Sequence, residues 1–126
     1  MEITLNHTIV NSHDKIKSAK FYERVFGFDF LKVWGHFAVV KVNSTLTLDF
    51  MDREKFSRQH YAFKVSEEDF DRIFENIKKE NIPYGSNPAA TDNMKINHHY
   101  GGRGVYFPDP NGHSLEILTA DYDIYS

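Results

Sequence analysis

The chain repeats one order of elements, a strand, a helix and three strands, in each of its halves. In the first half, apolar and polar residues alternate over residues 3–9, which predicts a strand with one apolar face. Apolar residues at three- and four-residue intervals then predict a helix over residues 14–26, which Gly27 ends. Three further runs, divided by a glycine and by an Asn-Ser pair, predict strands over residues 28–34, 36–42 and 45–50.

The second half follows the same order. Residues 60–65 read as a strand, and a Ser-Glu-Glu-Asp sequence starts a predicted helix that carries an apolar stripe over residues 66–81. A short strand is predicted from Tyr84. Asp-Pro-Asn-Gly at 109–112 predicts a tight turn, because proline fixes φ and Asn-Gly accepts positive φ angles. The strands that this turn joins in antiparallel order are predicted over residues 103–107 and 113–119.

The repeat predicts the fold class. A chain of 126 residues buries a substantial core but does not house two independent domains, so we expect one domain over residues 1–126. Its two βαβββ modules are predicted over about residues 1–52 and 58–120. Pairing two such modules lets equivalent positions face each other, which gives an α+β fold with a curved mixed sheet around a cleft.

Equivalent positions of the two modules carry the same kinds of side chain. His7 opens the first module as His60 opens the second, and Asp49 lies in the last strand of the first module as Glu116 does in the second. The spacing is 42 residues in the first half and 56 in the second, with the surplus in the loop over residues 86–102. The duplication therefore predicts that these four side chains form one set.

Glu116 is the residue of this set that most needs a partner. It lies within the apolar run Leu115–Leu118. An ionised carboxylate buried in such a strand costs several kcal/mol unless a cation or hydrogen bonds compensate it. We therefore expect a paired Glu116.

The stretch His98–Glu116 resembles the signature of type I extradiol ring-cleavage dioxygenases. That signature runs from a histidine through an apolar residue and tyrosine, then an acid, proline and glycine, to a glutamate. Wider similarity, over essentially the whole chain, is to the vicinal oxygen chelate superfamily, which includes glyoxalase I, fosfomycin-resistance enzymes and bleomycin-binding proteins. The residues that match the dioxygenase signature are His98 or His99, Val105-Tyr106, Asp109-Pro110, Gly112 and Glu116.

The resemblance implies a metal site in the cleft, held by His7, His60 and Glu116, with Asp49 as a possible fourth ligand. Imidazole and carboxylate suit a divalent ion, with Fe(II) favoured and Mn(II), Zn(II), Ni(II) or Co(II) as alternatives. A lone histidine on a strand is more often a hydrogen-bonded core residue than a ligand. Such residues at several equivalent positions favour the metal site over a structural cluster.

For an extradiol dioxygenase, the resemblance implies a small catecholic substrate that binds the metal through adjacent oxygens. One of His98 and His99 would act as general acid and base, because a neutral imidazole takes up and returns a proton near pH 7. Tyr106 would donate a hydrogen bond to a substrate oxygen. Alternatively, these histidines are solvated loop residues and Tyr106 is a core residue with its hydroxyl at a rim.

Two other functions remain open. A four-ligand site that includes Asp49 would resemble glyoxalase I, a lyase in which the metal polarises an enediolate. A binding module of the bleomycin-resistance type would hold a flat ligand in an aromatic cleft and need no metal. The histidine and carboxylate positions favour a metal-dependent enzyme over a binding module.

Composition excludes other partners. The net charge is −3, the pI is about 6.1 and no basic face is evident, so nucleic acid is not an expected partner. The chain has no cysteine and therefore no disulfide or thiolate ligand. No run approaches the length of a membrane span and the N-terminus lacks a secretory signal, so a cytoplasmic protein is expected. By resemblance we also expect a homodimer.

Overall fold

The computed structural model describes residues 1–124, which contain two α-helices and seven strands. The strands form two sheets. The chain divides into two compact units, one over residues 1–57 and one that begins at residue 58. The predicted α+β fold with two modules is confirmed, although the second unit has two strands after its helix where the first has three. The elements are β1 (His7–Ser12), α1 (Lys15–Phe26), β2 (Asp29–Trp34), β3 (Phe37–Lys41), β4 (Thr47–Asp52), β5 (His60–Lys64), α2 (Glu67–Lys79), β6 (Gly104–Pro108) and β7 (Ser114–Leu118).

The first unit is a four-stranded sheet with one face covered by α1. The strand order is β1-β4-β3-β2, in which β1 and β4 are parallel and the other pairs are antiparallel. Asp14 caps α1 by accepting backbone N–H bonds in the first turn, and Gly27 ends the helix at a φ of 84°. The Tyr22 ring packs 4.8 Å from the Phe50 ring. The buried sheet residues are Val10, Ala38, Val40, Leu48 and Phe50.

The first strand begins later than the sequence pattern predicts. Ile3 and Leu5 are exposed, and β1 starts at His7. The reason is the length of its neighbour, since β4 starts at Thr47, which pairs with His7. Residues before His7 therefore extend beyond the ladder despite their alternating pattern.

The second unit has a three-stranded sheet in the order β5-β7-β6, with β5 and β7 parallel and β6 and β7 antiparallel. Ser66 caps α2 by accepting the Asp69 N–H at 3.0 Å. The strand predicted from Tyr84 is reduced to one bridge, in which Gly85 and Tyr106 exchange two backbone hydrogen bonds of 2.9 Å. It ends there because the chain folds back, and a Cβ on Gly85 would lie 1.8 Å from the Ala90 carbonyl oxygen.

The turn between β6 and β7 sets the register that the site requires. Asp109 Oδ1 accepts the backbone N–H of Asn111 at 2.8 Å and that of His113 at 2.9 Å. Gly112 alone in this turn has a positive φ, of 84°. The predicted hairpin is therefore present, and its register pairs Tyr106 with Glu116.

No helix within residues 1–124 is long and apolar enough to cross a membrane.

Tyr61 on β5 is expected to make the fold less stable as pH rises into the alkaline range. Burial, followed by the negative charge of Asp109, raises the pKa of the Tyr61 phenol above its usual value of 10.0. The stabilisation that this group provides is complete below pH 10 and is lost as pH rises through the raised pKa. We therefore expect Tyr61→Phe to lose less stability than the wild-type protein between about pH 7 and about pH 10.5, by urea unfolding.

Tyr84→Phe is the matched control for this measurement, because it removes another phenol hydroxyl from the same unit. Its unfolding free energy should change with pH as that of the wild-type protein does. An equal alkaline loss in Tyr61→Phe and the wild-type protein would contradict the assignment.

Candidate functional site

A histidine and a glutamate meet on one face of the second sheet. The parallel pairing of β5 with β7 sets Ala62 beside Glu116, and His60 shares the face of Ala62 because it lies two residues earlier. His60 Nε2 lies 3.1 Å from Glu116 Oε1. The glutamate is 2% exposed, which confirms the expectation that it is buried and paired.

The other ring nitrogen of His60 fixes the direction of the imidazole. Nδ1 lies 3.0 Å from the carbonyl oxygen of Ser114, and because that oxygen only accepts, Nδ1 carries a hydrogen. Nε2 is then the atom that faces the carboxylate. Metal-binding histidines commonly donate their second N–H to a carbonyl or carboxylate in this way. The imidazole therefore presents Nε2 to Glu116.

The second oxygen of Glu116 is bound by a tyrosine that follows β7. The Tyr122 hydroxyl donates to Glu116 Oε2, and it lies 3.0 Å from the Tyr106 hydroxyl. The Tyr106 ring stacks on His60 at a centroid distance of 5.9 Å. Desolvation of the hydroxyl is the main cause that raises the pKa of Tyr106 and of Tyr122 above the usual tyrosine value, although Tyr122 as a whole is 43% exposed. Both phenols therefore stay protonated at neutral pH and remain hydrogen-bond donors.

The loop before β6 brings a third tyrosine to this cluster. The Tyr100 ring lies 5.4 Å from that of Tyr122, and Tyr100 has a left-handed backbone with a φ of 57°. Neither the His98 nor the His99 ring hydrogen-bonds to Glu116 or His60 in the described part of the chain. The His99 ring instead lies edge-on to Tyr100. The acid-base role of these histidines stays a prediction.

The first unit has a histidine and a carboxylate at equivalent strand positions. The parallel pairing of β1 with β4 sets Ile9 beside Asp49, so His7 precedes the partner of the carboxylate by two residues, as His60 does. Asp49 is 9% exposed, and its Oδ1 accepts the Thr47 hydroxyl at 2.9 Å. His7 Nδ1 lies 2.7 Å from the side-chain oxygen of Asn6. The equivalence that the sequence predicts therefore holds for strand register within each unit.

These donors fit a divalent metal in the chemistry of their side chains. Within residues 1–124, however, no three histidine or acidic side chains are grouped closely enough to hold an ion, and His60 with Glu116 is the histidine–carboxylate contact of the described residues. Two ligands about 2.1 Å from one ion at a right angle lie about 3 Å apart. The 3.1 Å between His60 Nε2 and Glu116 Oε1 is the length of the hydrogen bond between them and is also close to that separation. An imidazole and a carboxylate also form the mixed donor set of iron, manganese and zinc sites.

Tyr122 is the site residue that the sequence pattern did not reveal. It lies six residues after Glu116, beyond the end of β7, in a segment without regular periodicity. The one available signal was chemical, since a glutamate in an apolar strand requires donors. That signal predicts a partner but does not say where along the chain the partner lies.

Comparison with known proteins places the chain in a family. Residues 4–117 match the model of the glyoxalase/bleomycin resistance protein/dioxygenase superfamily, and the chain belongs to that superfamily. The solved structure of oxidase ChaP-H2 is 46% identical, has a TM-score of 0.93 and is covered over 98% of both chains. Oxidase ChaP-H1 is 42% identical with a TM-score of 0.90, over 97% of this chain and 99% of that one.

A curated relative bears a different name. The metallothiol transferase FosB of Lysinibacillus sphaericus is 26% identical over 122 residues, which cover 92% of this chain and 82% of the relative. These similarities agree on the superfamily and differ in the activity that the relatives are named for.

Proposed function

We propose that the protein is a metal-dependent oxidoreductase, specifically a ring-cleaving dioxygenase that acts on a small catecholic substrate. The observation that carries the proposal is the buried Glu116 held 3.1 Å from the oriented His60. The names of the two oxidase structures cited above favour oxidation over isomerisation. Both atoms of O2 enter the product of such a cleavage, so the reaction needs no separate reductant.

His7, His60 and Glu116 are the proposed ligands, and Fe(II) is the favoured ion because two histidines and one carboxylate leave positions open for other ligands. When bound, the ion supplies Lewis acidity and a template for two reactants. We further propose that residues 1–126 act as one domain, that its modules of about residues 1–52 and 58–120 work together, and that the protein is a cytoplasmic homodimer. In such a homodimer, His7 of one chain would bind the same ion as Glu116 of that chain or as Glu116 of the second copy.

The remaining roles belong to groups around the carboxylate. Tyr106 is proposed to donate a hydrogen bond to a substrate oxygen. In the structure its one hydrogen is given to the Tyr122 oxygen, because Tyr122 donates its own to Glu116, so the Tyr106 hydroxyl would have to turn toward the substrate. One of the exposed His98 and His99 is proposed to carry the substrate proton. The rings of Tyr106 and His60 offer a flat surface against which a planar substrate packs.

The second candidate is a lyase or isomerase of the glyoxalase type. It is favoured by Asp49, which has the same register relative to His7 as Glu116 has relative to His60. A fosfomycin-resistance activity is less well supported, since an anionic phosphonate substrate needs basic residues and Arg103, the one we would assign to it, is already paired. Its guanidinium bonds Asp71 at 2.8 Å and Glu67 at 3.3 Å, and it stacks on Phe70.

Elemental analysis and oxygen uptake test the proposal. Protein purified without oxygen is analysed for metal, loaded with Fe(II) and given a panel of catechols under 18O2. About one metal per chain, catechol-dependent O2 consumption and two labelled oxygens in the product are the expected results. Metal without oxygen uptake would favour the lyase, and protein that takes up no metal would favour a binding module.

A further inference from the structure

We propose that Tyr122 is a positioning residue for the metal site, which holds Glu116 so that the carboxylate binds through Oε1 alone. The inference rests on the proposed function, since it assumes that Glu116 is a ligand. It adds a residue outside the sheet that fixes how many coordination positions Glu116 takes.

The two oxygens of Glu116 have different partners. Oε1 faces His60 Nε2 at 3.1 Å, whereas Oε2 accepts the Tyr122 hydroxyl. An ion bound by His60 and Oε1 replaces only the contact between those two atoms. The bond from Tyr122 to Oε2 is therefore compatible with a metal on the other oxygen.

Tyr122 is itself held in place by its neighbours. Its hydroxyl lies 3.0 Å from that of Tyr106, a residue fixed in β6 directly opposite Glu116. Its ring lies 5.4 Å from the ring of Tyr100. Because these two contacts hold Tyr122 in place, its hydroxyl keeps the Glu116 carboxylate from rotating.

The consequence is an open position on the ion. A carboxylate that binds through one oxygen takes one coordination position, and a carboxylate that chelates takes two. Without the Tyr122 hydroxyl, Oε2 has lost its donor and turns toward the ion. A hydroxyl that lies outside the ligand set thus preserves space for substrate.

The test compares Tyr122→Phe with Tyr84→Phe, using Co(II) as the probe. Tyr84→Phe is matched because it also removes one phenol hydroxyl from the second unit, where the Tyr84 ring packs on Phe74. Calorimetric titration gives the dissociation constant, and the visible absorption of bound Co(II) reports its coordination number. For Tyr122→Phe we expect the spectrum of a higher coordination number, because the carboxylate then binds through both oxygens, and an unchanged spectrum in Tyr84→Phe.

Each result decides the inference. A Co(II) spectrum of unchanged coordination number in Tyr122→Phe would overturn the role of Tyr122 alone. A wild-type protein that binds no Co(II) would overturn the proposed function together with this inference. Should Tyr122→Phe fail to fold, the Zn(II)-loaded wild-type protein is measured by NMR. A Tyr122 hydroxyl proton protected from solvent exchange supports the proposal, and rapid exchange overturns it.

Discussion

Replacing His60 with alanine is expected to reduce bound metal from about one ion per chain to an undetectable level. The substitution removes the nitrogen that faces Glu116 Oε1, and Glu116 then keeps the Tyr122 hydroxyl as a partner on its other oxygen. Of the proposed ligands only His7 and Glu116 then remain, and two protein ligands do not hold a transition metal against a chelator. Metal analysis after dialysis against a weak chelator measures the loss, and Fe(II)-dependent oxygen uptake should disappear with it.

His36→Ala is the control for that substitution. His36 is exposed in the turn between β2 and β3 and belongs to neither histidine–carboxylate pair. Its alanine variant should keep the wild-type metal content and activity. Full metal stoichiometry in His60→Ala would show that the ion is bound elsewhere.

The second large effect is expected from Glu116→Gln, with Asp49→Asn as its counterpart in the other module. The amide that replaces the Glu116 carboxylate lacks the negative charge that a divalent ion requires, and we expect the metal affinity to fall about 100-fold. Asp49 is one methylene shorter, and its Oδ1 is already engaged by Thr47. We therefore expect Asp49→Asn to change affinity by less than about threefold.

Titration of both variants with Fe(II) without oxygen distinguishes a three-ligand from a four-ligand site. Comparable losses in Glu116→Gln and Asp49→Asn would show that both carboxylates bind the ion. The glyoxalase-type alternative would then be favoured over the dioxygenase.

Strand periodicity predicted the strands but not which face of β1 is buried, since Ile9 on the predicted apolar face is 47% exposed and Val10 on the other face is 1% exposed. Because side chains alternate along a strand, the positions of His7 and Asp49 in their runs determine a shared face once β1 pairs with β4. The same argument predicts the face that His60 and Glu116 share. The burial of Glu116 was predictable from the apolar residues on either side of it.

Features set by partners distant in the chain were not predictable in this way. The strand predicted from Tyr84 is a single bridge because the backbone turns back toward Ala90, a contact that local alternation does not encode. Residues before His7 have the pattern of a strand, but β4 is too short to pair with them. Tyr122 reaches Glu116 from an irregular segment, whose path depends on tertiary packing.

The hydrogen bond that orients His60 uses a main-chain carbonyl, and this affects how the site tolerates mutation. Any residue at position 114 that keeps β7 in place supplies the same oxygen to Nδ1. The residue at position 114 can therefore change without altering the orientation of the His60 imidazole. Natural variation at position 114 would consequently give no indication of the contact, whereas inserting or deleting one residue in the turn after β6 would disrupt it.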